Sequence, residues 1–204
     1  MNDGFTTIRA PARAESRVQG SRFIAMAAPA ADVAGVDAVL AAIRKEFHDA
    51  THHCYAFRLG ADGGQFRSSD GGEPSGTAGR PILAAIEHAG LTDIVVVVSR
   101  YFGGTKLGTG GLARAYGAAA TGALQSAERV ERFKTQLIAA AFPHAFVGSV
   151  MHAVSQVGAR ITDTLYDEEV HLVLEVRSSA AETLKSHLVD CTRGNIRFAP
   201  VSAP

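Results

Sequence analysis

Residues 93–116 read DIVVVVSRYFGGTKLGTGGLARAY, and the architecture turns on them. An apolar, β-branched run, Ile94 to Val98, passes through Ser99, Arg100, Tyr101 and Phe102 into a loop with glycines at 103, 104, 108, 110 and 111. Such a run predicts a central strand, and the alanine-rich pattern after the loop predicts a helix from about Gly110 to Glu128. Glycines permit positive φ and let a backbone or an anion come close, while Arg100, Lys106 and Arg114 supply positive charge. A tight strand-to-helix crossover also uses glycines, but five exceed what one short turn needs. Arg100 closes the strand, Lys106 sits mid-loop and Arg114 falls about one turn into the helix, so the three are expected to surround one helix N-terminus with its open N–H groups.

Outward from this stretch, FTTIR at 5–9 and RFIAMAA at 22–28 read as short strands. Asp32 then caps a helix in which Val36, Leu40, Ile43 and Phe47 recur on one face. THHCYAFRLG at 51–60 reads as a strand, closed by the turn ADGG, with a return strand over Gln65 to Ser68. A polar loop follows, and a helix runs near Arg80 to His88 with Gly90 as its stop. The charged run Glu128 to Lys134 reads as a linker. Beyond it come a strand (135–142), a helix (144–157), two strands (160–166 and 169–177), a helix (179–190) and a strand (195–200). That βαββαβ order matches a ferredoxin-like split unit. The reading is an α+β protein of two domains, residues 1–130 and 131–204.

Composition narrows the classes. The chain has 204 residues, 47% hydrophobic and 20% charged, ordinary for a globular protein. No apolar run approaches the roughly 18 residues of a membrane span, and the start lacks the regions of a secretory signal, so a cytoplasmic location without membrane attachment is expected. Residues 1–130 carry 13 Lys/Arg against 12 Asp/Glu, and residues 131–204 carry 7 against 8. A globally basic nucleic-acid binder is disfavoured, and phosphate recognition has to come from a local patch. Cys54 and Cys191 are far apart and predict reduced, buried thiols.

Several motifs fail on inspection. Gly108-Thr109-Gly110-Gly111-Leu112-Ala113 fits GxGxxA, but the helix continues to Glu128, where a dinucleotide fold would place the end of a second strand. Lys106 does not follow the closing glycine of a phosphate-binding GxxxxGK[ST] run. His52 and Cys54 share one face of a strand and His53 takes the other, which leaves too few ligands for zinc. Asp70 and Glu73 with Ser75 or Thr77 lack a base for a catalytic triad, and Asp70, Ser75 and Thr77 are expected to bond their own loop backbone. Tyr101 and Phe102 beside Arg100 suit either core filling or stacking on a base, and strand alternation exposes at most one of the two rings.

HHCYAFRLG at 52–60, SSDGGEPSGTAGRPIL at 68–83 and VVSRYFGGTKLGTGGLARAY at 97–116, with SRF at 21–23, resemble the IMPACT family in its bacterial YigZ branch. The match covers the N-terminal domain in order and spacing, and the βαββαβ segment resembles the second domain of that branch. Many relatives carry Asp-Asp-Gly-Glu where this chain reads Asp70-Gly71-Gly72-Glu73, so a role needing an acidic pair there is not implied. The resemblance implies an N-terminal domain similar to the second domain of a small-subunit ribosomal protein and to a domain of elongation factor G. It also implies a C-terminal domain similar to the last, ferredoxin-like domain of that factor. Eukaryotic relatives regulate translation by competing for a protein that activates an initiation-factor kinase, but through a different accessory domain. Some members bear the label proline dipeptidase, yet the sequence shows no set of Asp, His and Glu ligands for a two-metal peptidase.

The functional expectation is a non-enzymatic, translation-associated regulatory protein that binds RNA, the ribosome or a translation factor. The binding residues are Arg100, Tyr101, Phe102, Gly103, Gly104, Lys106, Gly108, Gly110, Gly111 and Arg114, together with Asp70, Glu73, Ser75 and Thr77. No catalytic residue, metal or cofactor is expected. The other hypothesis is an enzyme that holds a phosphorylated small molecule at the glycine-rich loop, similar in N-terminal topology to the sugar kinases.

Overall fold

The computed structural model describes residues 3–199. Phe5–Arg132 form one compact unit, and residues 3–4 with 133–199 form the other. The first unit is built on five strands: β2 (Ala12–Val18), β3 (Ser21–Pro29), β4 (His52–Leu59), β5 (Gln65–Ser69) and β6 (Ile94–Tyr101). They lie in the order β2-β3-β6-β4-β5, every neighbouring pair antiparallel. β6 is therefore the middle strand, and each residue from Ile94 to Arg100 is buried.

Burial on both faces follows from three helices. Helix α1 (Val33–Glu46), capped by Asp32 Oδ1 on the Gly35 N–H at 2.7 Å, puts Val36, Leu40 and Ile43 against Phe57, Leu59, Val95 and Val97. Helices α2 (Gly79–Ala89) and α3 (Gly108–Gln125) cover the opposite face, where Ile82, Ile86, Tyr116 and Ala119 meet Ala25, Ala56, Val96 and Val98. Alternation along β6 thus feeds two separate cores.

Two stretches depart from the sequence reading. β2 is a strand that the pattern ARAESRV hides. It joins β3 through a two-residue turn, Gln19 and Gly20, with φ of 45° and 82°, the handedness that suits a twisted hairpin. The charged run expected as a linker is strand β7 (Arg129–Phe133), paired with β1 (Gly4–Ile8) in a two-stranded ribbon.

The second unit has the expected βαββαβ order: β8 (Thr135–Phe142), α4 (Val147–Val157) after a short 3₁₀ turn, β9 (Arg160–Tyr166), β10 (Val170–Arg177), α5 (Ala181–Cys191) and β11 (Arg197–Ala199). The end of the last strand expected at Pro200 lies outside the described residues. The sheet order is β11-β8-β10-β9, and both helices pack on one face through Val150, Val154, Leu184 and Leu188. The chain is thus a mixed α+β protein.

Candidate anion-binding site

The loop between β5 and α2 is fixed by one carboxylate. Asp70 accepts the backbone N–H groups of Gly76 at 2.8 Å, Ala78 at 2.9 Å and Gly79 at 2.8 Å, and so closes the start of α2 from outside the helix. Burial pushes its carboxyl up, but these N–H donors outweigh that and hold it below its ordinary value. Thr77 donates to the Pro74 carbonyl at 2.6 Å, whereas Ser75 is exposed. Gly71 has φ of 55°, and a Cβ there would lie 2.2 Å from the His53 carbonyl oxygen.

Glu73, whose side chain is 4% exposed, is the centre of a second, buried network. Its Oε1 takes Arg100 Nη1 at 2.6 Å and the Tyr116 hydroxyl at 2.7 Å. Arg100 Nη2 reaches Ser21 Oγ at 3.2 Å, and its guanidinium lies over the rings of Phe23 and Phe102, 5.5 and 5.6 Å from their centroids. His52 Nδ1 is 3.0 Å from the Gly71 carbonyl, which can only accept, so that nitrogen carries the proton. Burial pushes the Cys54 thiol up to about 12 and raises the Tyr116 phenol as well, so both stay protonated near neutrality. Cys54 donates to the Asp70 carbonyl at 2.9 Å, and such a thiol is a poor nucleophile. Cys191, expected to be buried, is half-buried.

This network corrects one expectation. Arg100 does not join Lys106 and Arg114; its side chain is 6% exposed and its guanidinium is committed to Glu73. The strand register turns its side chain toward the face covered by α3, where a charge needs a partner.

The start of α3 is organised differently. Lys106 is exposed, Leu107 at the helix start makes no side-chain capping bond, and Gly108 and Gly110 are exposed with Gly111 half-buried. The Arg114 guanidinium lies over Gly110, 3.5 Å from where a Cβ would sit. Lys106, Gly108, Gly110, Gly111 and Arg114 therefore gather by sequence at one helix N-terminus whose N–H groups no side chain caps among the described residues, an arrangement suited to an anion. Gly103 serves packing instead: a Cβ there would fall 1.9 Å from the Gly20 carbonyl carbon. Gly104 is exposed, with nothing within 4 Å of a built Cβ. Tyr101 donates to Asp49 at 2.7 Å and lies under Arg22, while Phe102 is 49% exposed.

Sequence reasoning missed Ser21, Cys54 and Tyr116 as partners in this network, since nothing local to residues so far apart along the chain announces a shared bond. Among the described residues, no three His, Cys, Asp or Glu side chains group as a metal site would require. A cleft of about 490 Å³ in the second unit is lined by Ala139, Ala141, Leu165, Val173 and Phe198.

An antiparallel sheet with helices on both faces, carrying an uncapped glycine-rich helix start and followed by a βαββαβ unit, defines the class. The Impact N-terminal domain family matches residues 19–124, which include both loops, and a domain of unknown function, DUF1949, matches 141–195. The chain belongs to the IMPACT family. It is 42% identical over 181 residues to the IMPACT family member in the pol 5′ region of Thermus thermophilus, covering 88% of this chain and 97% of the relative. It is 34% identical over 197 residues to the IMPACT family member YigZ of Escherichia coli, covering 94% and 95%. A crystal structure of a hypothetical protein is similar at 30% identity with a TM-score of 0.77, each chain covered in full.

Proposed function

We propose that this chain is a non-enzymatic, translation-associated regulatory protein that binds RNA, free or within the ribosome, through the glycine-rich basic loop. The observation that carries the reading is the start of α3, where Leu107 caps no backbone N–H, Arg114 lies over Gly110 and the exposed Lys106 stands two residues before the helix. Phosphate oxygens suit such a site, since N–H dipoles and cations act together on one negative charge. The near-zero net charge keeps the attraction local. Membership of the IMPACT family supports a place in the regulation of translation. Asp70, Glu73 and Thr77 take part indirectly, by fixing the neighbouring loop, and Ser75 lies exposed beside them.

The test is binding of RNA and of ribosomes by wild type and by Lys106→Ala, Arg114→Ala and the double variant. Each substitution is expected to weaken binding and to lower the salt slope of log K by about one unit, with little dependence on sequence. Unchanged affinity in a folded double variant would move the site elsewhere. Stabilisation by a sugar phosphate or nucleotide alone, by roughly 2.7 kcal/mol at a hundred times its Kd, would favour a small-molecule ligand. Capture of a translation factor without RNA would favour a protein partner.

A further inference from the structure

We infer that the RNA is single-stranded at this site and that one of its bases stacks on Phe102; the inference rests on the RNA reading above. Phe102 is 49% exposed and is the only exposed large hydrophobic side chain between Ser99 and Arg114. It is not a loose surface ring. Its N–H is held by Thr51 Oγ1 at 3.1 Å, and the next N–H, of Gly103, by Ser21 Oγ at 3.2 Å. The Arg100 guanidinium backs it at 5.6 Å and is itself held by Glu73, by Ser21 and by the Phe23 ring on another side. Gly103 and Gly104 follow without side chains that could cover the ring.

The neighbours decide the kind of ligand. A protein partner that buries a phenylalanine favours contiguous apolar surface around it. Here the exposed residues that follow it along the chain are glycines, Thr105 and Lys106, ahead of the helix start, and the exposed residue that bonds its N–H is the polar Thr51. One fixed aromatic ring beside positive charge and free N–H groups suits a strand whose base stacks and whose phosphates track the cations. A duplex keeps its base faces inside the stack and offers phosphate, ribose and base edges, none of which stacks on a ring.

The chain contains no tryptophan, so Phe102→Trp places a single reporter at the ring. Full-length wild type, Phe102→Ala and Phe102→Trp are titrated with a labelled ten-nucleotide single strand and with a duplex of the same length, while thermal melts check folding. Phe102→Ala is expected to weaken single-strand binding by about 5- to 150-fold and to leave duplex binding unchanged. Phe102→Trp is expected to bind as wild type, its emission quenched as the single strand saturates. Single-strand binding by Phe102→Ala equal to wild type overturns the inference, as does a tryptophan whose emission ignores an oligonucleotide that binds. If Phe102→Ala does not fold, the Phe102→Trp signal decides. Wild type that binds neither RNA overturns the RNA reading itself, whereas loss in Lys106→Ala without loss in Phe102→Ala overturns the stacked base alone.

Discussion

Tyr116 donates its hydroxyl to Glu73 Oε1 at 2.7 Å, the same oxygen that takes Arg100 Nη1 at 2.6 Å. One carboxylate oxygen thereby joins the β5–α2 loop, the end of β6 and helix α3, three of the segments that bear the family motifs. Removing Glu73 leaves a guanidinium buried without its counter-charge, a change that costs about 3–5 kcal/mol in comparable sites. Glu73→Gln is therefore expected to unfold at markedly lower urea concentration. Glu73→Gln with Arg100→Met removes both charges and is expected to lose less than Glu73→Gln alone. A double variant as unstable as the single one would show that packing, and not the charge pair, sets the stability there.

The Asp70 carboxylate makes a pH-dependent contribution of known sign. Its folded-state pKa lies below the ordinary value of 3.8, so its stabilisation is present above that value and is lost as pH falls through the folded one. Asp70→Asn keeps one acceptor oxygen but loses the ionised partner of the Gly76 N–H, and is expected to cost about 1.5–3 kcal/mol at neutral pH. Urea unfolding across the acid range should show the difference from wild type narrowing below about pH 4. A difference that is constant with pH would mean that the carboxylate titrates alike in the folded and unfolded chain and that the cap does not favour its ionised form.

The central strand, the helices and the whole βαββαβ order were legible because each rests on local periodicity: consecutive β-branched residues for β6, spacings of three and four for α1. β2 was not, since its inward positions are Ala12, Ala14, Ser16 and Val18, small or polar residues that carry little alternation signal. β7 has one half-buried apolar residue, Val130, among charged neighbours, and only its pairing with β1 makes it a strand. The site divides in the same way. Lys106, Gly110 and Arg114 are close in sequence, so their meeting at a helix start follows from helical geometry. The Arg100 partners stand 27 residues away at Glu73 and 79 at Ser21, and no local pattern links them.

We propose that Phe5–Arg132 and residues 133–199 unfold as separate cooperative units, each having its own buried core. Ile82 and Leu184 are both fully buried, one in each core. Truncation of either to Ala is expected to cost about 2–5 kcal/mol. Calorimetry should resolve two transitions, Ile82→Ala lowering one and Leu184→Ala the other. If both substitutions shift a single shared transition, the chain is one cooperative unit and the division is wrong.

Two glycines of the same loop are expected to respond with opposite sign. A Cβ on Gly103 would stand 1.9 Å from the Gly20 carbonyl carbon and 2.2 Å from the Ser21 nitrogen, both backbone atoms that cannot swing away. Gly103→Ala must push the β2–β3 turn from β6, and overpacking of this kind costs typically about 1–3 kcal/mol. Gly110 has helical neighbours and no positive φ, and a Cβ there would meet only the Arg114 guanidinium at 3.5 Å. At an exposed position in the first turn of α3, Gly110→Ala removes backbone freedom from the unfolded chain and is expected to stabilise by about 0.4–1 kcal/mol. The same methyl stands where an anion would approach the open N–H groups, so RNA affinity should fall as stability rises. Denaturant melts paired with RNA titrations check both signs. A more stable Gly110→Ala protein that binds as wild type would show that the glycines at the start of α3 serve the crossover alone and that the anion lies elsewhere.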